Sequence, residues 1–421
     1  MASCPPQSAR RRIVVTGMGA VSAYGLGAPA LIEGTLSGQV TLARIRNIDT
    51  SAMPVSLASE VTAPLSAPAQ VPAHRSSLMA WHAARDALFH AGLDPDRPPE
   101  STSLAAAVGW APAPTSLTET NGWSDRMLDA WRGQPDFQFS FPGTTESALH
   151  RALGLKGRLV ADHAACAAGL HAMVHAARSI RSGRSDLWLA GASDSRCHPL
   201  GILGYARMGV LYSGNMLDSE SIRGASRPFD QNRSGFVIGE GAGFLVLESL
   251  EHAEHRGAKP LAELASWSLT HDAEHPTEPS QDGIAAAECI RLALQRAGLD
   301  PCQVDYLNAH GTSTVANDVM ECRAFAEVFG RHRENAPWIS STKSMIGHLA
   351  MAAGAVESIA TLGAMQRRQC PPSVNLETPD PEGEGLRFAP NRAQDHDMSI
   401  CVKTAFGLGG QNACVVWKKL G

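Results

Sequence analysis

The chain has 421 residues, of which 44% are hydrophobic and 18% charged, and its formal net charge at pH 7 is −5. This length is sufficient for two or three domain-sized units around a large core, and the composition is that of an ordinary globular protein. Because nucleic-acid-binding surfaces carry a basic excess, the acidic balance argues against that class of function.

The cysteines and the N-terminal stretch indicate a compartment. Nine cysteines, an odd number without CxxC pairs, fit a reducing environment better than a disulfide framework. Gly17 and Gly19 interrupt the short apolar run that follows MASCPPQSARRR, and no run approaches the roughly 18 apolar residues that span a bilayer. We therefore predict a flexible N-terminus over residues 1–12, no signal peptide or membrane anchor, and a cytoplasmic location.

Apolar strand-like runs alternate with helix-like segments in chain order. The predicted strands RIVVTGMG, TSLAAAVGW, GRLVAD and DLWLAGAS are accompanied by a predicted helix, SSLMAWHAARDALFHAGL. A long strand then runs from GFVIGEGAG into a polar helix, and a second series opens with LAELASWSLTHD. The pattern predicts an α/β protein with an N-terminal half over residues 13–250 and a C-terminal half over residues 251–421. The close, SICVKTAFGLGGQNACVVWKK, predicts two strands around a glycine-rich turn.

One cysteine lies where a strand-like run changes into a helical one, in VADHAACAAGLHAMVHA. Apolar residues recur at helical spacing after Cys166, and Gly183 follows as a stop, so a buried helix should begin at or beside the cysteine. A thiol at a helix N-terminus meets unpaired N–H groups and the positive end of the helix dipole, which favour the nucleophilic thiolate. The alternative is a cysteine that fills the core, which is the commoner role of a cysteine among alanines.

Two histidines downstream support the nucleophile. VDYLNAHGTSTVANDVMECRAF predicts a strand ending in His310, a turn, and a helix whose start is marked by Asp318 and Glu321 at capping-box spacing. WISSTKSMIGHLAMAAGAVESIATL predicts a strand, a turn with Lys343 and His348, and an alanine-rich helix. Each residue alone has a structural explanation, as a core histidine, a solvated lysine or a helix cap. Together with a helix-start cysteine they form a candidate catalytic group.

Four segments carry a family resemblance: AACAAG, NAHGTSTVANDVME, STKSMIGHLAMAAGAVES and FGLGGQNA. They resemble the landmarks of the elongating β-ketoacyl-acyl-carrier-protein synthases, members of the thiolase-like superfamily, and the resemblance extends over nearly the whole chain. It implies a thiolase-like α-β-α-β-α sandwich of two similarly built halves, each with a five-stranded sheet, normally in a homodimer.

The resemblance also implies a reaction. Cys166 would take an acyl group from an acyl carrier protein as a thioester, and malonyl-carrier protein would lose carbon dioxide to give a carbanion that attacks this thioester. His310 and His348 would stabilise the charge on the malonyl thioester oxygen through their N–H groups. The backbone N–H groups of Cys166 and Leu408 would form the oxyanion hole for acyl transfer.

Further roles follow from the same resemblance. Lys343 would pair with Glu357 and give electrostatic support, and Glu321 would be structural or ion-binding. The residues expected to bind substrate are Thr312, Thr314, Tyr205 and Phe406. The substrates would arrive on the phosphopantetheine arm of the carrier protein, so no separate cofactor is expected. His271 and His275 have helical ligand spacing, but Pro276 breaks the helix and a third ligand is absent, so no metal site is expected.

Several positions depart from the family pattern. Leu408 replaces a bulky aromatic gate, Ala164 replaces a threonine, and Tyr205 replaces a phenylalanine of the acyl tunnel, where a hydroxyl suits a more polar or unsaturated chain. His163 is interpreted as a packing residue or a residue that supports the site. The stretch GWAPAPTSLTETNGWSDRMLDAW replaces a glycine-rich segment, which would reshape the pocket. Together these differences favour polyketide or polyene synthesis over housekeeping fatty-acid elongation.

Two other functions stay in competition at this stage. A partner subunit of the chain-length-factor type would share the fold while lacking the nucleophile, and the presence of the cysteine and both histidines argues against it without excluding a heterodimer. A degradative thiolase would use a second cysteine where this chain has a histidine.

TGMGAVSAYG and GLGGQN are poor nucleotide fingerprints and are better explained as tight turns beside strands. Carrier proteins are acidic, so Arg207, Arg223 and Arg227 are candidate docking residues.

Overall fold

The computed structural model describes residues 11–51, 53–109, 143–214 and 218–420. The predictions for residues 1–10 and for the stretch after Gly109 lie outside these ranges. The strands are β1 Ile13–Ser22, β2 Gly25–Leu26, β3 Ala43–Arg44, β4 Leu57–Ser59, β5 Ser103–Val108, β6 Leu159–Ala161, β7 Leu187–Ser195, β8 Ile238–Ser249, β9 Ala262–His271, β10 Tyr306–Asn308, β11 Trp338–Ser340, β12 Gln369–Cys370, β13 Gln394–Asp395, β14 Ile400–Gly407 and β15 Gln411–Lys418. The helices are Ala28–Ser37, Arg75–His90, Thr144–Ala152, Ala168–Arg181, Pro199–Arg207, Ser219–Arg223, Leu250–His255, Ile284–Ala297, Val315–Phe329, Lys343–Ile346 and Ala353–Arg367.

Two sets of five strands repeat one arrangement. The first has the order β6-β5-β7-β8-β1 and the second the order β11-β10-β14-β15-β9. In each set the first three strands are parallel and the last two pairings are antiparallel. The sets join where β1 pairs with β9 through Val14–Glu263 and Val15–Ala262. The predicted division at residues 250 and 251 falls between β8 and β9 and stays a prediction.

Two buried helices lie between the sheets. The first central helix, Ala168–Arg181, packs against β5, β7 and β15. The second central helix, Ala353–Arg367, packs against β8, β14 and the first central helix. The helices approach closely because each carries a glycine at the crossing, where an added Cβ at Gly169 would meet Ala355 and one at Gly354 would meet Leu170. Arg75–His90 covers the outer face of the first sheet, and Ile284–Ala297 covers the second. The predicted α-β-α-β-α sandwich of two similar halves is confirmed.

The glycines of TGMG have a different role from the predicted tight turn. Gly17 and Gly19 lie inside β1 rather than beside it, and a Cβ on either would overlap the backbone of the helix Arg75–His90 at Ala87 and Ala83. Gly17 and Gly19 are therefore explained by close helix–strand packing, and the tight turn predicted in TGMGAVSAYG lies further along, between β1 and β2, where Ser22 pairs with Gly25.

The described part of the N-terminal segment is held by ion pairs. Arg11 lies 2.6 Å from Asp186, and Arg12 lies 2.6 Å from Glu263 at the start of β9. None of the helices in the described ranges has both the length and the apolar character needed to cross a bilayer.

Candidate active site

Cys166 lies in a tight turn between β6 and the first central helix. The residues Ala165–Ala167 form a single 3-10 turn, and the helix begins at Ala168 as predicted from the periodicity. Ala165 has a φ of 46°, which is a left-handed conformation that side chains other than glycine rarely adopt. This sharp turn directs the thiol away from the helix and into a cavity, so Cys166 does not simply fill the core.

Two histidines of the second half meet this cysteine. His310 follows β10, and His348 follows the one-turn helix Lys343–Ile346. The Cys166 sulfur and one ring nitrogen of each histidine all lie within 4.8 Å of one another, and all three residues are buried. Among the described residues no other three Cys, His, Asp or Glu side chains come this close together. Two histidines of the second half thus meet a cysteine that precedes them by more than 140 positions, as the candidate triad requires.

The hydrogen bonds of the two imidazoles determine which nitrogen carries the proton. The backbone N–H of Ala350 donates to Nδ1 of His348 over 3.2 Å, so Nδ1 is the acceptor and Nε2 is the donor. The Lys343 ammonium lies 3.4 Å from Nδ1 of His310 and assigns the same tautomer there. Both rings can therefore direct an Nε2–H toward an oxygen in the cavity.

Burial and positive charge keep both rings neutral. Desolvation, followed by the charge of Lys343, lowers the pKa of His310 and of His348 well below 6.5. A neutral ring that donates one N–H is the form needed to stabilise a developing oxyanion.

The thiol of Cys166 is protonated in the resting protein. Burial raises its pKa to about 11, and this effect outweighs the opposing effects of Lys343 and of a hydrogen bond from the backbone N–H of Leu408. The helix N-terminus and the nearby positive groups favour the thiolate, as expected, but desolvation disfavours the charged form more strongly.

The glycine-rich turn between β14 and β15 lies beside Cys166. Leu408 lies in this turn, and its N–H reaches the Cys166 sulfur, which is where an oxyanion-hole donor would be needed. Phe406 at the end of β14 packs edge-on against His310, with ring centroids 6.0 Å apart. The turn therefore brings one backbone donor and one apolar wall to the site.

Lys343 and Glu357 form a buried ion pair that includes a second lysine. Lys343 Nζ lies 2.6 Å from one carboxylate oxygen of Glu357, and Lys403 Nζ lies 2.7 Å from the other. Lys343 also donates to the backbone carbonyl of His310 over 2.6 Å. Lys403, on β14, was not singled out in the sequence, although a lysine inside the apolar run SICVKTAF was an available signal.

Glu321 holds the turn that carries His310. Its carboxylate accepts the N–H of His310 over 2.7 Å and that of Gly311, and Asn317 donates to it over 2.8 Å. Desolvation and the neighbouring Asp318 raise the pKa of Glu321 to about 7.

The predicted capping box at Asp318 is wrong. The helix begins at Val315, and Thr314 at its N-cap makes no side-chain cap bond. Asp318 lies in the first turn, inside the helix rather than at its N-cap, and accepts the N–H groups of Thr312 and Ser313 from the preceding loop. The carboxylates of Asp318 and Glu321 accept the backbone N–H groups of the loop that precedes the helix. Their three-residue spacing therefore does not mark the start of the helix.

Two cavities meet at Cys166. The first, of about 750 Å³, is lined by all the predicted substrate-binding residues: Tyr205, Thr312, Thr314 and Phe406. The hydroxyls of Thr312 and Thr314 lie 2.8 Å apart. The second cavity, of about 450 Å³, also has Cys166 in its lining, together with Leu408 and residues of the helix Pro199–Arg207 that include Tyr205.

His163, His271 and His275 are not part of the group formed by Cys166, His310 and His348. His163 lines the second cavity and lies 3.6 Å from Glu146. His271 ends β9, and both His271 and His275 accept N–H groups within their own loop, an arrangement unlike a helical ligand pair.

Comparisons with known proteins agree with this site. Models of the β-ketoacyl synthase N-terminal and C-terminal domains match residues 10–253 and 261–377. A 3-oxoacyl-[acyl-carrier-protein] synthase 2 of Coxiella burnetii is 34% identical over 431 residues, which cover 98% of this chain and 99% of that protein.

Solved structures show the same similarity. A type II polyketide ketosynthase, in complex with its acyl-carrier protein and bound to a hexaketide, is 31% identical with a TM-score of 0.83. The ishigamide ketosynthase/chain length factor is 34% identical with a TM-score of 0.84. Each comparison covers 98% of this chain and 100% of the other. The predicted family is confirmed, and the chain belongs to the β-ketoacyl synthases, a family of acyl-transferring condensing enzymes.

Proposed function

We propose that the protein is an active β-ketoacyl-acyl-carrier-protein synthase that performs a decarboxylative Claisen condensation. The observation that carries this proposal is the buried group of one thiol and two neutral imidazoles, each with an Nε2–H available beside the sulfur. A chain-length-factor type of subunit has no use for a nucleophile, so the intact group favours the enzyme.

In the first half-reaction, the sulfur of Cys166 attacks the thioester carbonyl of an acyl-carrier protein. The C–S bond to the phosphopantetheine arm breaks, and the departing thiolate leaves as a thiol with the proton that Cys166 gives up. The N–H groups of Cys166 and Leu408 stabilise the tetrahedral oxyanion. Because the thiol is protonated at rest, this proton transfer accompanies the attack.

In the second half-reaction, the malonyl group of malonyl-carrier protein occupies the larger cavity. Its C–C bond to the carboxylate breaks, carbon dioxide leaves, and the electron pair moves into an enolate whose oxygen accepts the Nε2–H groups of His310 and His348. The enolate carbon then attacks the acyl thioester, the C–S bond to Cys166 breaks, and the departing thiolate takes up one proton from solvent. The product is a β-ketoacyl-carrier protein extended by two carbons.

The buried charges around the histidines have a supporting role in this proposal. Lys343 fixes the acceptor nitrogen of His310, and Glu357 holds Lys343 in place. Glu321 positions the backbone of His310 and Gly311, which is consistent with the structural alternative and makes ion binding unnecessary.

The carrier protein is the proposed partner. Thr312 and Thr314 line the larger cavity and offer hydroxyls to the phosphopantetheine arm. Arg207 and Arg223 are exposed, whereas Arg227 lies within 3.6 Å of Asp230 and 3.4 Å of Glu377, so the first two are the better docking candidates. We place the reaction in the cytoplasm and propose a dimer, either with a second copy or with a chain-length-factor-like subunit.

Acylation and condensation can be measured separately. Purified protein is mixed with acyl-carrier proteins, its intact mass is recorded, and malonyl-carrier protein is then added. We expect a mass increase equal to the acyl group, its loss in Cys166→Ala, and a β-ketoacyl product. A protein that is not acylated alone but is acylated after co-expression with a chain-length-factor-like subunit would support the heterodimer. No acylation under either condition would refute the proposed function.

Cysteine and histidine are also zinc ligands, so activity is also measured after treatment with a chelator. Activity that is unchanged after treatment with EDTA is expected, since the proposed steps use the thiol and the two N–H donors directly. A loss that zinc restores would instead assign Cys166, His310 and His348 to metal binding.

A further inference from the structure

The smaller cavity beside Cys166 contains a guanidinium group. Its wall includes apolar side chains that suit an acyl chain, among them Leu200, Met208 and Met351. Arg196, from the turn that follows β7, lines the same 450 Å³ space as the nucleophile. None of the predicted site residues accounts for a cation on this side of the thiol.

Arg196 is anchored at one end of its guanidinium only. Its Nε donates to Asp194 over 3.1 Å, and Nη2 lies 3.8 Å from the sulfur of Met351, which is a weak acceptor. Within the described ranges Nη1 has no hydrogen-bond partner. The side chain keeps 29% of its surface exposed, whereas that of Asp194 is fully buried. Asp194 therefore holds the guanidinium through Nε and leaves the N–H groups of Nη1 accessible.

Other polar groups border the same cavity. Tyr205 has its ring edge-on against Phe236, with centroids 5.2 Å apart, and it separates the smaller cavity from the larger one. Tyr205 lines this cavity together with Cys166 and Arg196. His163 lines the cavity as well. The space beyond the thiol is thus apolar along part of its wall and rich in donors elsewhere.

We propose that Arg196 determines acyl-chain specificity by binding an oxygen on the chain held by Cys166. The substrate class is an acyl group that carries a carbonyl, hydroxyl or carboxylate oxygen in addition to its thioester. This inference rests on the proposed function, since it concerns the acyl group of the covalent intermediate, and it makes Arg196 a substrate-contacting residue in the smaller cavity.

The physical basis is the cost of unpaired donors. A saturated hydrocarbon chain in this cavity would displace water from Arg196 and offer it no acceptor, whereas an oxygenated chain restores the lost hydrogen bond. A site built to hydrogen-bond a substrate oxygen rejects the analogue that lacks it far more strongly than an apolar pocket distinguishes chains by size. The arrangement therefore predicts discrimination between chains of equal length.

The test compares hexanoyl-, 5-oxohexanoyl- and adipoyl-carrier protein as acyl donors. The rate of Cys166 acylation is followed by intact mass for the wild type, Arg196→Met and the exposed control Arg184→Met. We expect the wild type and the control to prefer one of the oxygenated chains by about tenfold or more. Arg196→Met should reduce this ratio toward one. Preference for adipoyl would identify a carboxylate as the bound group, and preference for 5-oxohexanoyl a neutral oxygen.

Because Arg196→Met leaves Asp194 buried without its partner, a double variant, Asp194→Asn with Arg196→Met, removes both charges. It should show the same loss of preference as Arg196→Met. A ratio that is unchanged in both variants, or a wild type that prefers hexanoyl, would overturn the role of Arg196 and leave the condensing activity standing. No acylation by any of the three chains would overturn the proposed function and this inference with it.

Discussion

Met351 occupies in the second half of the chain the position that Cys166 occupies in the first. Each lies in the middle of a 3-10 turn, Ala165–Ala167 or Ala350–Ala352, that leads directly into a central helix. The residue before each has the same rare backbone conformation, with φ of 46° at Ala165 and 45° at Ala350. The two halves thus share one turn, which carries Cys166 in one half and Met351 in the other.

The position of Met351 in this turn predicts an effect on the length of the acyl chain that Cys166 accepts. Its side chain lines the cavity beside the thiol, so Met351→Ala removes three heavy atoms from the wall of the smaller cavity. We expect acylation to shift toward longer chains by about tenfold per methylene accommodated, because a methylene in an apolar pocket contributes about 1–3 kcal/mol to discrimination. The measurement is the ratio of long-chain to short-chain acylation in a mixture of carrier proteins. A ratio equal to that of the wild type would contradict the prediction.

Much of the fold could be predicted because its signals are local. Hydrophobic periodicity indicated the strand β1 and the helix after Cys166, and the long run near Gly235 indicated β8. Apart from the family resemblance, the sequence did not indicate the repeat of the two halves, since the match of ACAAGL with AMAAGA at four of six positions is too short to show one. What the halves share is backbone geometry, and many sequences can adopt the same backbone.

The site was predictable only in part for a related reason. Cys166, His310 and His348 lie in recognisable motifs, whereas Arg196 and Lys403 act through positions that only the folded chain brings together. Arg196 lies in the irregular segment after β7, where no periodicity indicates which way a side chain points. Lys403 becomes interpretable once the strand is known to be buried and Glu357 is known to lie beside it.

The raised pKa of Cys166 predicts a strong pH dependence of its reactivity. The thiolate is the deprotonated form, so with a pKa of about 11 its fraction increases nearly tenfold for each pH unit between about pH 7 and pH 9. The rate of alkylation by iodoacetamide at Cys166 should increase in the same way, measured by intact mass against Cys166→Ala as the background. A rate already constant above pH 7 would mean that the thiolate dominates in the resting protein.

The two histidines predict a rate of decarboxylation that does not depend on pH near neutrality. Both pKa values lie well below 6.5, so neither ring changes its protonation between about pH 6 and pH 8. Release of carbon dioxide from malonyl-carrier protein by Cys166→Ala should therefore be flat over this range. Adding His310→Ala or His348→Ala should lower that rate by about 10²–10³-fold, as expected for loss of an oxyanion donor. A sigmoidal profile centred in this range would refute the assignment of neutral donors.

Lys403 predicts a measurable effect on stability. Desolvation, and then repulsion from Lys343, lower the pKa of Lys403 from 10.5 to about 8, although Glu357 opposes this shift. A lysine whose pKa is lower in the folded protein loses its proton more readily there, so the unfolded chain binds more protons between pH 8 and 10.5. The free energy of unfolding should therefore rise with pH through this window, by about 3 kcal/mol if Lys403 titrates alone.

Urea unfolding of the wild type and of Lys403→Met at pH 8 and pH 10 isolates this contribution, because groups common to both proteins cancel in the difference. The wild type should gain stability relative to the variant as the pH rises. Lys259→Met, at an exposed lysine, serves as the control and should follow the wild type. Lys403 also donates to the carbonyl groups of Ala309 and Thr404 over 3.1 and 2.6 Å, so Lys403→Met should be less stable at every pH. Parallel pH profiles for the wild type and Lys403→Met would show that Glu357 compensates fully for the burial of the second lysine.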